Sequence, residues 1–371
     1  MTLPPITDAH RTAFQQDLLD WFEGARRAMP WRETQDPYRI WISEIMLQQT
    51  RVDQATPYYL RFVKAFPTVQ ALAAAPLDEV LKNWEGLGYY SRARNLHKAA
   101  KHVVERGSFP DTHADLLDMP GVGPYTAAAV ASIAFGLPHA VLDGNVIRVL
   151  TRTFGIGADS TAGKTRKALQ QRADALIPHT RPAAFNEGVM ELGATVCKPK
   201  NPGCFHCVLN PCCVAFAQGT PTAYPVKKKK APIPHKDIAV GLIFDQDERL
   251  FIQRRPEDAM LGGLWEFPGG KREAGETLAE ACRRELREEL AIEAEIVAPF
   301  MAVDHAYSHF KITMHAFRCR IASGTPTPPP GTPWAWVTLD ALDDYAFPRA
   351  NRRLIEALQR RMQNPTLFDC V

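Results

Sequence analysis

The chain has 371 residues, 46% of them apolar and 23% charged, with a formal net charge of +3. This length predicts two domains, each large enough to bury its own core, and the weak charge permits nucleic-acid binding without arguing for it. No apolar run reaches membrane-spanning length and residues 1–30 carry no signal-peptide pattern, which argues against membrane and exported proteins. We therefore expect a cytoplasmic protein, in which the eight cysteines indicate a reducing compartment and ligand binding rather than disulfides.

Residues 10 to about 215 are predicted to be almost entirely helical, because apolar residues recur at helical spacing and strand-like alternation is scarce. Glu44 lies in the apolar stretch WISEIML. Apolar neighbours raise the pKa of a carboxyl group, so this residue would be partly protonated near neutral pH. A lone helical glutamate, however, is more often simply exposed.

The stretch GLGYYSRARN, residues 86–95, combines glycines, paired tyrosines and two arginines. An aromatic wedge beside phosphate-binding arginines suits the opening of a DNA duplex. A tyrosine packed in the core with solvated arginines explains the same pattern equally well.

The stretch LLDMPGVGPYTAAAVASIAFGLPHAVLD, residues 116–143, predicts a short helix, a tight turn, an alanine-rich helix and a loop that ends on Asp143. Gly121 and Gly123 allow backbone angles closed to other residues, and Pro124 suits the first turn of a helix. The turn thus presents backbone N–H groups at a helix N-terminus, where a phosphate binds readily. Asp143 by itself fits an ordinary helix N-cap.

Glu44 and Asp143 together fit the cleavage of an N-glycosidic bond, which needs two carboxyl groups of different pKa. One donates a proton to the leaving base, and the other stays ionised beside the developing oxocarbenium ion. Further along the chain, Glu187 and Glu191 are four residues apart and share one helix face, a spacing more typical of plain surface charges.

Four cysteines fall within one short stretch, at Cys197, Cys204, Cys207 and Cys213. Four thiolates at this density can hold a [4Fe–4S] cluster. Tetrahedral zinc is the competing ligand, although zinc modules usually carry two close ligand pairs and this stretch has one C-x-x-C. Cys212 adjoins Cys213 and leaves the fourth ligand ambiguous.

With these motifs, above all L-x-x-x-P-G-V-G-P-Y-T-A followed by V-L-D-G-N-V, the chain resembles the adenine DNA glycosylases (MutY) of the helix-hairpin-helix, or endonuclease III, superfamily. The resemblance implies that Glu44 protonates adenine and that Asp143 stabilises the sugar cation, with support from Tyr125 and Asn145. It also implies an adenine pocket lined by Trp31, Arg32, Leu47 and Glu187.

The same resemblance implies a DNA interface and a structural [4Fe–4S] cluster. Gln49 and Tyr89 would invade the duplex, while Thr50 and Leu87 would touch the opposite, oxidised guanine. The hairpin glycines Gly121 and Gly123 would face the DNA backbone. The cluster would be bound by Cys197, Cys204, Cys207 and Cys213, with Lys198 and Lys200 near DNA phosphates.

Tyr125 discriminates between two kinds of glycosylase. Relatives that also cut the DNA strand carry a lysine at this position, and a Schiff base requires an amine that a phenol cannot supply. The resemblance therefore predicts a monofunctional glycosylase, which removes adenine opposite 8-oxoguanine or guanine and leaves the strand intact.

Residues 219–237 are rich in proline and contain four consecutive lysines, which predicts a semi-rigid linker. From residue 238 the pattern becomes α/β with a mixed sheet. It predicts a β-hairpin at 238–255, strands near 296–304, 311–319 and 334–338, and helices near 277–290 and 350–361.

The series G-x5-E-x7-R-E-L-x-E-E runs from Gly270 to Glu289. Its last three glutamates, Glu285, Glu288 and Glu289, share one helix face, which suits either magnesium and pyrophosphate hydrolysis or simple solvation. The series resembles the Nudix box, except that Ala291 replaces the expected glycine. If that position is left-handed, alanine costs about 1–2 kcal/mol there.

Two functions remain open for this second domain. It is either a former hydrolase that reads 8-oxoguanine opposite adenine through the loop DHAYSHFKI, chiefly Ser308 and His309, or an active magnesium-dependent nucleotide pyrophosphohydrolase. We favour lesion recognition, because a fold does not fix a function. A non-catalytic iron–sulfur DNA-binding protein is a third alternative, against which the pair of carboxyl groups argues.

The complete prediction is a multidomain chain. It comprises an all-α helix-hairpin-helix glycosylase domain (1–218) with a cluster loop (197–213), a linker (219–237), an α/β Nudix-like domain (238–361) and a flexible tail (362–371). The tail QNPTLFDCV fits a weak sliding-clamp contact through Leu367 and Phe368, or a frayed terminus. We expect a monomer that binds double-stranded DNA and is associated with the nucleoid.

Overall fold

The computed structural model describes residues 3–228, 232–257, 259–307 and 310–363, without the side chains of residues 362 and 363. The chain divides into two compact units, one formed by residues 1–74 and 95–230 and the other by residues 75–94 and 231–371. Ser308, His309 and the tail with Leu367 and Phe368 lie outside the described residues, so the roles predicted for them stay predictions.

The amino-terminal part of the described chain is built from helices and short 3-10 turns, as predicted. In chain order the helices are α1 (Asp8–Ala25), α2 (Pro37–Leu47), α3 (Val52–Ala65), α4 (Val69–Ala74), α5 (Leu77–Trp84), α6 (Ser91–Arg106), α7 (His113–Leu117), α8 (Pro124–Phe135), α9 (Gly144–Thr153), α10 (Gly163–Leu176), α11 (Pro182–Thr195) and α12 (Val214–Ala217). α5 and the first residues of α6 belong to the second unit, which the sequence pattern does not predict.

The core of the first unit is formed by apolar side chains of α1, α8, α9, α10 and α11. Gly193 lets α11 approach the start of α9 closely, since a Cβ atom at this glycine would lie 2.6 Å from the Cβ of Asn145. Such a contact is far inside van der Waals range, so any larger residue would push the two helices apart. The start of α9 is therefore fixed against α11.

α2 is buried on almost every face, from Tyr38 and Ile40 through Met46. Asp36 caps its N-terminus by accepting a hydrogen bond from the backbone N–H of Tyr38 at 3.0 Å. Every residue from Trp41 to Met46 is buried, so this part of the helix has no solvent-facing side and Glu44 lies in the interior. The alternative of an exposed Glu44 is therefore wrong.

α7 and α8 form the predicted hairpin, but only one of its two glycines needs special backbone angles. Gly121 has φ of 75°, and a Cβ atom there would lie 2.5 Å from the Cβ of Asn95. Gly123 has φ of −96°, which any residue can adopt, so the prediction for this glycine is wrong. It serves as the N-cap of α8, with Pro124 in the first turn.

The second unit adds strands and two long helices to α5. In chain order they are β1 (His235–Ile243), β2 (Leu250–Arg254), β3 (Trp265–Glu266), β4 (Gly269–Lys271), α13 (Leu278–Leu290), β5 (Glu293–Ala306), β6 (Lys311–Ser323), β7 (Trp334–Val337) and α14 (Arg349–Gln363). One sheet has the strand order β4-β1-β6-β5 and the other β3-β2-β7. Because β1 and β6 are parallel and their other neighbours antiparallel, the predicted mixed sheet is confirmed.

The predicted hairpin at 238–255 is not formed as a ladder. Among the described residues, β1 and β2 are joined by a single bridge between Phe244 and Leu250, and each strand then pairs within a different sheet. Both strands are buried along consecutive residues rather than on alternate ones. Strands covered on both faces lie in the interior of their sheets, and a local turn cannot decide their partners.

Ala291 ends α13 with φ of 55°, so the position that the Nudix pattern gives to glycine is left-handed here. The cost of alanine at such a position, about 1–2 kcal/mol, therefore applies to this chain. No helix in the parts of the chain that the structure covers combines the length and apolar character needed to cross a membrane.

Candidate active site

A cavity of about 660 Å³ opens in the first unit between α2, α8, α9 and α11. It brings together most of the catalytic and pocket residues predicted from the sequence. The predicted residues that line it are Trp31, Arg32, Glu44, Leu47, Thr50, Tyr125, Asp143, Asn145 and Glu187.

Glu44 is 4% exposed, and burial raises its pKa to about 7. The Tyr125 hydroxyl donates a hydrogen bond to its Oε2 at 2.8 Å and opposes this rise, whereas the charges of Glu187 and Asp143 contribute to it. A buried carboxyl group favours its neutral form. Near neutral pH, a large fraction of Glu44 therefore carries a proton.

Asp143 is the N-cap of α9, and it also borders the cavity. Its Oδ1 accepts a hydrogen bond from the backbone N–H of Val146 at 2.7 Å, and its Oδ2 accepts one from the Asn145 amide at 2.8 Å. Burial raises the pKa of Asp143, while these hydrogen bonds and the Arg148 charge lower it. Two carboxyl groups with different donor sets thus face one cavity, and capping and a catalytic role are compatible.

Arg148 connects this carboxylate to the cysteine-rich loop, and the sequence analysis missed it. Its Nη2 donates to Asn145 Oδ1 at 2.8 Å and to the carbonyl of Gly193 at 2.7 Å, and its Nε donates to the carbonyl of Cys197 at 2.7 Å. A buried guanidinium must find several acceptors. An available signal was the pair of arginines four residues apart, Arg148 and Arg152, in the otherwise apolar stretch of α9.

The interpretation of Glu187 and Glu191 as surface charges is wrong, because both are buried in an ion-pair network. Arg32 lies between them, with its Nε 2.8 Å from Glu187 Oε1 and its Nη2 3.0 Å from Glu191 Oε2. Glu191 is also paired with Arg27. Burial raises the pKa of Glu187, and the Arg32 charge opposes that change. The network gives one wall of the cavity a fixed arrangement of charge.

The residues predicted to contact DNA differ in their exposure and in the unit to which they belong. Gln49 is exposed directly after α2, with φ of 58°, and the neighbouring Thr50 lines the cavity. Tyr89 lies in the second unit, 42% exposed and with φ of 50°. The side chain of Leu87 is buried in that unit, 4% exposed. The DNA contacts of all these residues stay predictions.

Cys197, Cys204, Cys207 and Cys213 line one small cavity, whereas Cys212 does not. Burial, followed by the charges of the other three thiolates, raises the pKa of the Cys207 thiol to about 12. Burial also raises the pKa of the Cys212 thiol, and the charges of Cys213 and Asp17 contribute to that rise. Among the residues that the structure describes, no three His, Cys, Asp or Glu side chains are placed to share a single metal ion.

In the second unit, Arg284 occupies the acidic face of the Nudix-like helix. Its guanidinium lies 2.6 Å from Glu276, 2.9 Å from Glu285 and 3.1 Å from Glu288. Glu289 accepts hydrogen bonds from the Gln253 amide at 2.8 Å and from the backbone N–H of Gly269 at 3.0 Å. The predicted magnesium platform is therefore largely engaged in internal contacts.

The comparisons with known proteins assign two separate regions of the chain to different families. Residues 42–174 match the model of the HhH-GPD superfamily of base excision DNA repair proteins, and residues 239–357 match the NUDIX domain. Among solved structures, a thermostable thymine-DNA glycosylase is 34% identical and covers 56% of this chain and 97% of its own, with a TM-score of 0.52. An endonuclease III in a trapped covalent complex with DNA is 21% identical, with a TM-score of 0.50, and shows a similar fold.

Two relatives extend the similarity across both units. The adenine DNA glycosylase of Rattus norvegicus is 35% identical and covers 94% of this chain and 78% of its own length. The adenine DNA glycosylase of Homo sapiens is 34% identical, with coverages of 95% and 75%. Because this identity extends over nearly the whole sequence, the chain belongs to the adenine DNA glycosylase family.

Proposed function

We propose that this chain is a monofunctional adenine DNA glycosylase, which hydrolyses the N-glycosidic bond of adenine opposite 8-oxoguanine or guanine in duplex DNA. The observation that carries the proposal is the pair of carboxyl groups at one cavity, a buried Glu44 with a pKa of about 7 and a hydrogen-bonded Asp143. Base loss needs a proton donor and an ionised stabiliser, and environments that separate two pKa values provide both.

In the proposed mechanism, adenine leaves the stack and enters the cavity beside Trp31, at a cost of a few kcal/mol that the new contacts offset. Glu44 protonates a ring nitrogen, so the base departs as a neutral molecule. Asp143 faces the positive charge that develops on the sugar, and water then completes the hydrolysis. Asn145 and Tyr125 hold the two carboxyl groups in place through the hydrogen bonds described above.

The test uses duplexes with adenine opposite 8-oxoguanine, guanine or thymine. We expect adenine release from the first two, an intact strand with an abasic site until alkali is added, and no covalent adduct trapped by borohydride, because Tyr125 offers no amine for a Schiff base. Adenine that stays attached opposite 8-oxoguanine contradicts the proposal. An abundant trapped adduct contradicts its monofunctional part alone.

We further propose that the cysteine loop holds a [4Fe–4S] cluster through Cys197, Cys204, Cys207 and Cys213. A cluster takes one thiolate on each iron, whereas zinc draws its ligands to within about 2.3 Å of a single ion. Four cysteines around one cavity, without three donors close enough to share an ion among the described residues, suit the first arrangement better. When bound, the group would hold a loop whose Lys198 and Lys200 face DNA phosphates.

Replacing Cys213 with alanine should remove the yellow-brown colour and most of the iron of the purified protein. Cys212→Ala is the matched control and should keep both, because Cys212 does not line the cavity that the other four cysteines share. Iron and acid-labile sulfide per chain are measured for both variants. Loss of iron in Cys212→Ala with retention in Cys213→Ala would make Cys212 the fourth ligand in place of Cys213. Stoichiometric zinc in a colourless protein would show that the loop binds zinc and would contradict the cluster proposal.

The proposed DNA interface starts from Gln49 and Tyr89, which enter the duplex beside the adenine. Both have a positive φ, and such backbone strain in non-glycine residues clusters at functional sites. Thr50 and Leu87 would touch the opposite base. The N-terminus of α8, preceded by Gly121 and Gly123, would bind a phosphate through its free N–H groups.

For the second unit, we propose recognition of 8-oxoguanine near residues 307–310. The backbone N–H of Tyr307 donates to the carbonyl of Phe310 at 2.8 Å, and the rings of these two residues, which are next to Ser308 and His309 in the sequence, lie 5.0 Å apart. We also propose that the protein is a monomer at the cytoplasmic nucleoid and that its tail contacts a sliding clamp.

Nucleotide pyrophosphohydrolysis stays the second candidate function of this unit, because of one observation. A cavity of about 450 Å³ bordered by Glu285 and Glu289 is also lined by Gln253 and Asn351, whose buried Oε1 and Oδ1 atoms have no hydrogen-bond partner among the described residues. Buried acceptors are almost always hydrogen-bonded, so these two atoms could accept hydrogen bonds from a ligand in the cavity. Phosphate release from nucleoside triphosphates with magnesium, lost in Glu288→Gln, would establish the activity.

A further inference from the structure

Residues 75–94 form the only helical segment from the amino-terminal half that is grouped with the carboxy-terminal unit in the described chain. The side chains of Val80, Leu81 and Trp84 on α5 are fully buried, and Leu87 and Tyr90 are nearly so. The segment is therefore packed as part of that unit and is not a loose connection.

The turn after α5, residues 85–90, is held in one backbone conformation. Gly86, Gly88 and Tyr89 have φ values of 94°, 76° and 50°. The Trp84 indole N–H donates to the carbonyl of Gly88 at 3.0 Å, and Arg92 Nη2 donates to the same carbonyl at 3.1 Å. The turn presents the Tyr89 ring, 42% exposed, above the Arg92 guanidinium, whose central carbon lies 5.4 Å from the ring centroid.

The base of this turn is attached to residues 345–352 by several polar contacts. Glu85 Oε1 accepts the backbone N–H of Phe347 at 3.0 Å and pairs with Arg352 Nε at 3.0 Å. Arg352 Nη2 reaches Glu85 Oε2 at 3.3 Å, so both carboxylate oxygens are engaged. The Tyr90 hydroxyl donates to the Phe347 carbonyl at 3.2 Å, and Lys82 Nζ donates to the Tyr345 carbonyl at 3.2 Å.

The Glu85–Arg352 ion pair is well placed to keep the turn in position when the turn contacts DNA. The two side chains are only 15% and 21% exposed, so solvent and salt screen their attraction less than that of a surface pair. A two-point contact between a guanidinium and a carboxylate also fixes orientation, which a single contact does not.

We infer that Glu85 and Arg352 are positioning residues for base extrusion, which hold the Tyr89 turn so that its ring can press into the duplex. The inference rests on the proposed entry of Tyr89 into DNA. Extrusion of a base costs free energy. If the turn that carries Tyr89 could move, contact with the duplex would displace the turn and leave the base in the stack. Residues 345–352 thereby contribute to excision of adenine, in addition to any reading of the opposite base.

The experiment compares two duplexes under single-turnover conditions with the full-length protein. In one, adenine is opposite 8-oxoguanine, and in the other the same adenine is opposite an abasic site, where it is already unpaired. Arg352→Gln should lower the excision rate of the paired adenine by about tenfold relative to the parent, and that of the unpaired adenine by less than about twofold, because only paired adenine needs the wedge. Arg352→Lys should restore part of the loss, since it keeps the charge but not the two-point contact.

Arg360→Gln is the matched control, since Arg360 lies on the same helix, is 79% exposed and undergoes the same charge change. It should leave both rates unchanged. Glu85→Gln, which keeps an acceptor for the Phe347 N–H, serves as the second variant should Arg352→Gln fail to fold. An equal loss on both duplexes, or none on either, overturns the inference.

A double-mutant cycle separates this inference from the proposal on which it rests. In the Tyr89→Ala background, Arg352→Gln should cause no further loss on paired adenine, because the wedge it supports is absent. If Tyr89→Ala alone leaves excision of paired adenine at the parental rate, the proposed wedge fails. If Tyr89→Ala slows excision and Arg352→Gln slows it independently and by the same factor in both backgrounds, only the positioning role fails.

Discussion

Glu44→Gln should abolish most excision of adenine while leaving DNA binding intact. The amide matches the glutamate in size and can still accept the Tyr125 hydrogen bond, but it has no proton to give the leaving base. Loss of general acid catalysis costs about 10²–10⁴ in rate. Single-turnover excision and equilibrium binding to the same duplex measure the two effects separately. The exposed helical glutamate Glu105 offers a control, and Glu105→Gln should behave as the parent.

The pH dependence of the parent enzyme should identify the same group. Because the pKa of Glu44 is about 7 and only its protonated form is an acid catalyst, excision should fall as pH rises through about 7. On the acidic side, the rate should fall where Asp143, whose pKa is also raised by burial, takes up a proton. The residual rate of Glu44→Gln should lack the alkaline decline. A variant that keeps that decline would assign it to another residue.

The raised pKa of Glu44 also predicts a stability effect of known sign. A carboxyl group whose pKa rises from 4.5 to about 7 on folding stabilises the folded state most below pH 4.5, and this contribution is lost as pH rises through about 7. The shift corresponds to about 3 kcal/mol, so Glu44→Gln should be more stable than the parent at pH 8 by an amount of that order. Denaturant unfolding at pH 5 and pH 8 tests this.

The two carboxyl groups of the proposed catalytic pair could be singled out from the sequence because each carries a local signal. Asp143 follows a glycine–proline hairpin and its alanine-rich helix, and Glu44 lies in a run of apolar residues that has no solvent-facing side. A helix buried all round forces the pKa of its one carboxyl group upward, so sequence pattern and electrostatics point the same way. The burial of Glu44 and the cap at Asp143 needed no knowledge of distant partners.

The remaining features depend on contacts between residues far apart in the chain. Arg32 meets Glu191 across 159 positions, which changes two apparent surface charges into one buried wall of the cavity. Glu85 meets Arg352 across 267 positions, which moves α5 into the other unit. β1 pairs with β6 rather than with β2, although the turn between β1 and β2 is the stronger local signal. Periodicity specifies that a face is buried, but it does not specify what buries it.

Asp143→Asn should lower excision of adenine by about 10²–10³, the usual loss when a group that stabilises transition-state charge is removed. The developing sugar cation would then face a neutral amide in place of a carboxylate. DNA affinity should stay within about twofold of the parent, since Asp143 lies in the cavity and makes its contacts to Val146 and Asn145 within the protein. Single-turnover rates and binding to a duplex with adenine opposite 8-oxoguanine measure both quantities.

The same substitution should hardly change the fold, which makes the kinetic effect interpretable. Asparagine caps helices as well as aspartate does, so the bond to the Val146 N–H is kept. Its NH2 group cannot accept from the Asn145 amide, and the loss of that contact costs about 1–3 kcal/mol. Asp36→Asn is the matched control, because Asp36 caps α2 through the same kind of bond to Tyr38 but does not line the cavity. If Asp36→Asn slows excision as much as Asp143→Asn does, the effect comes from helix capping. If Asp143→Asn excises adenine at the parental rate, the carboxylate has no part in stabilising the cation.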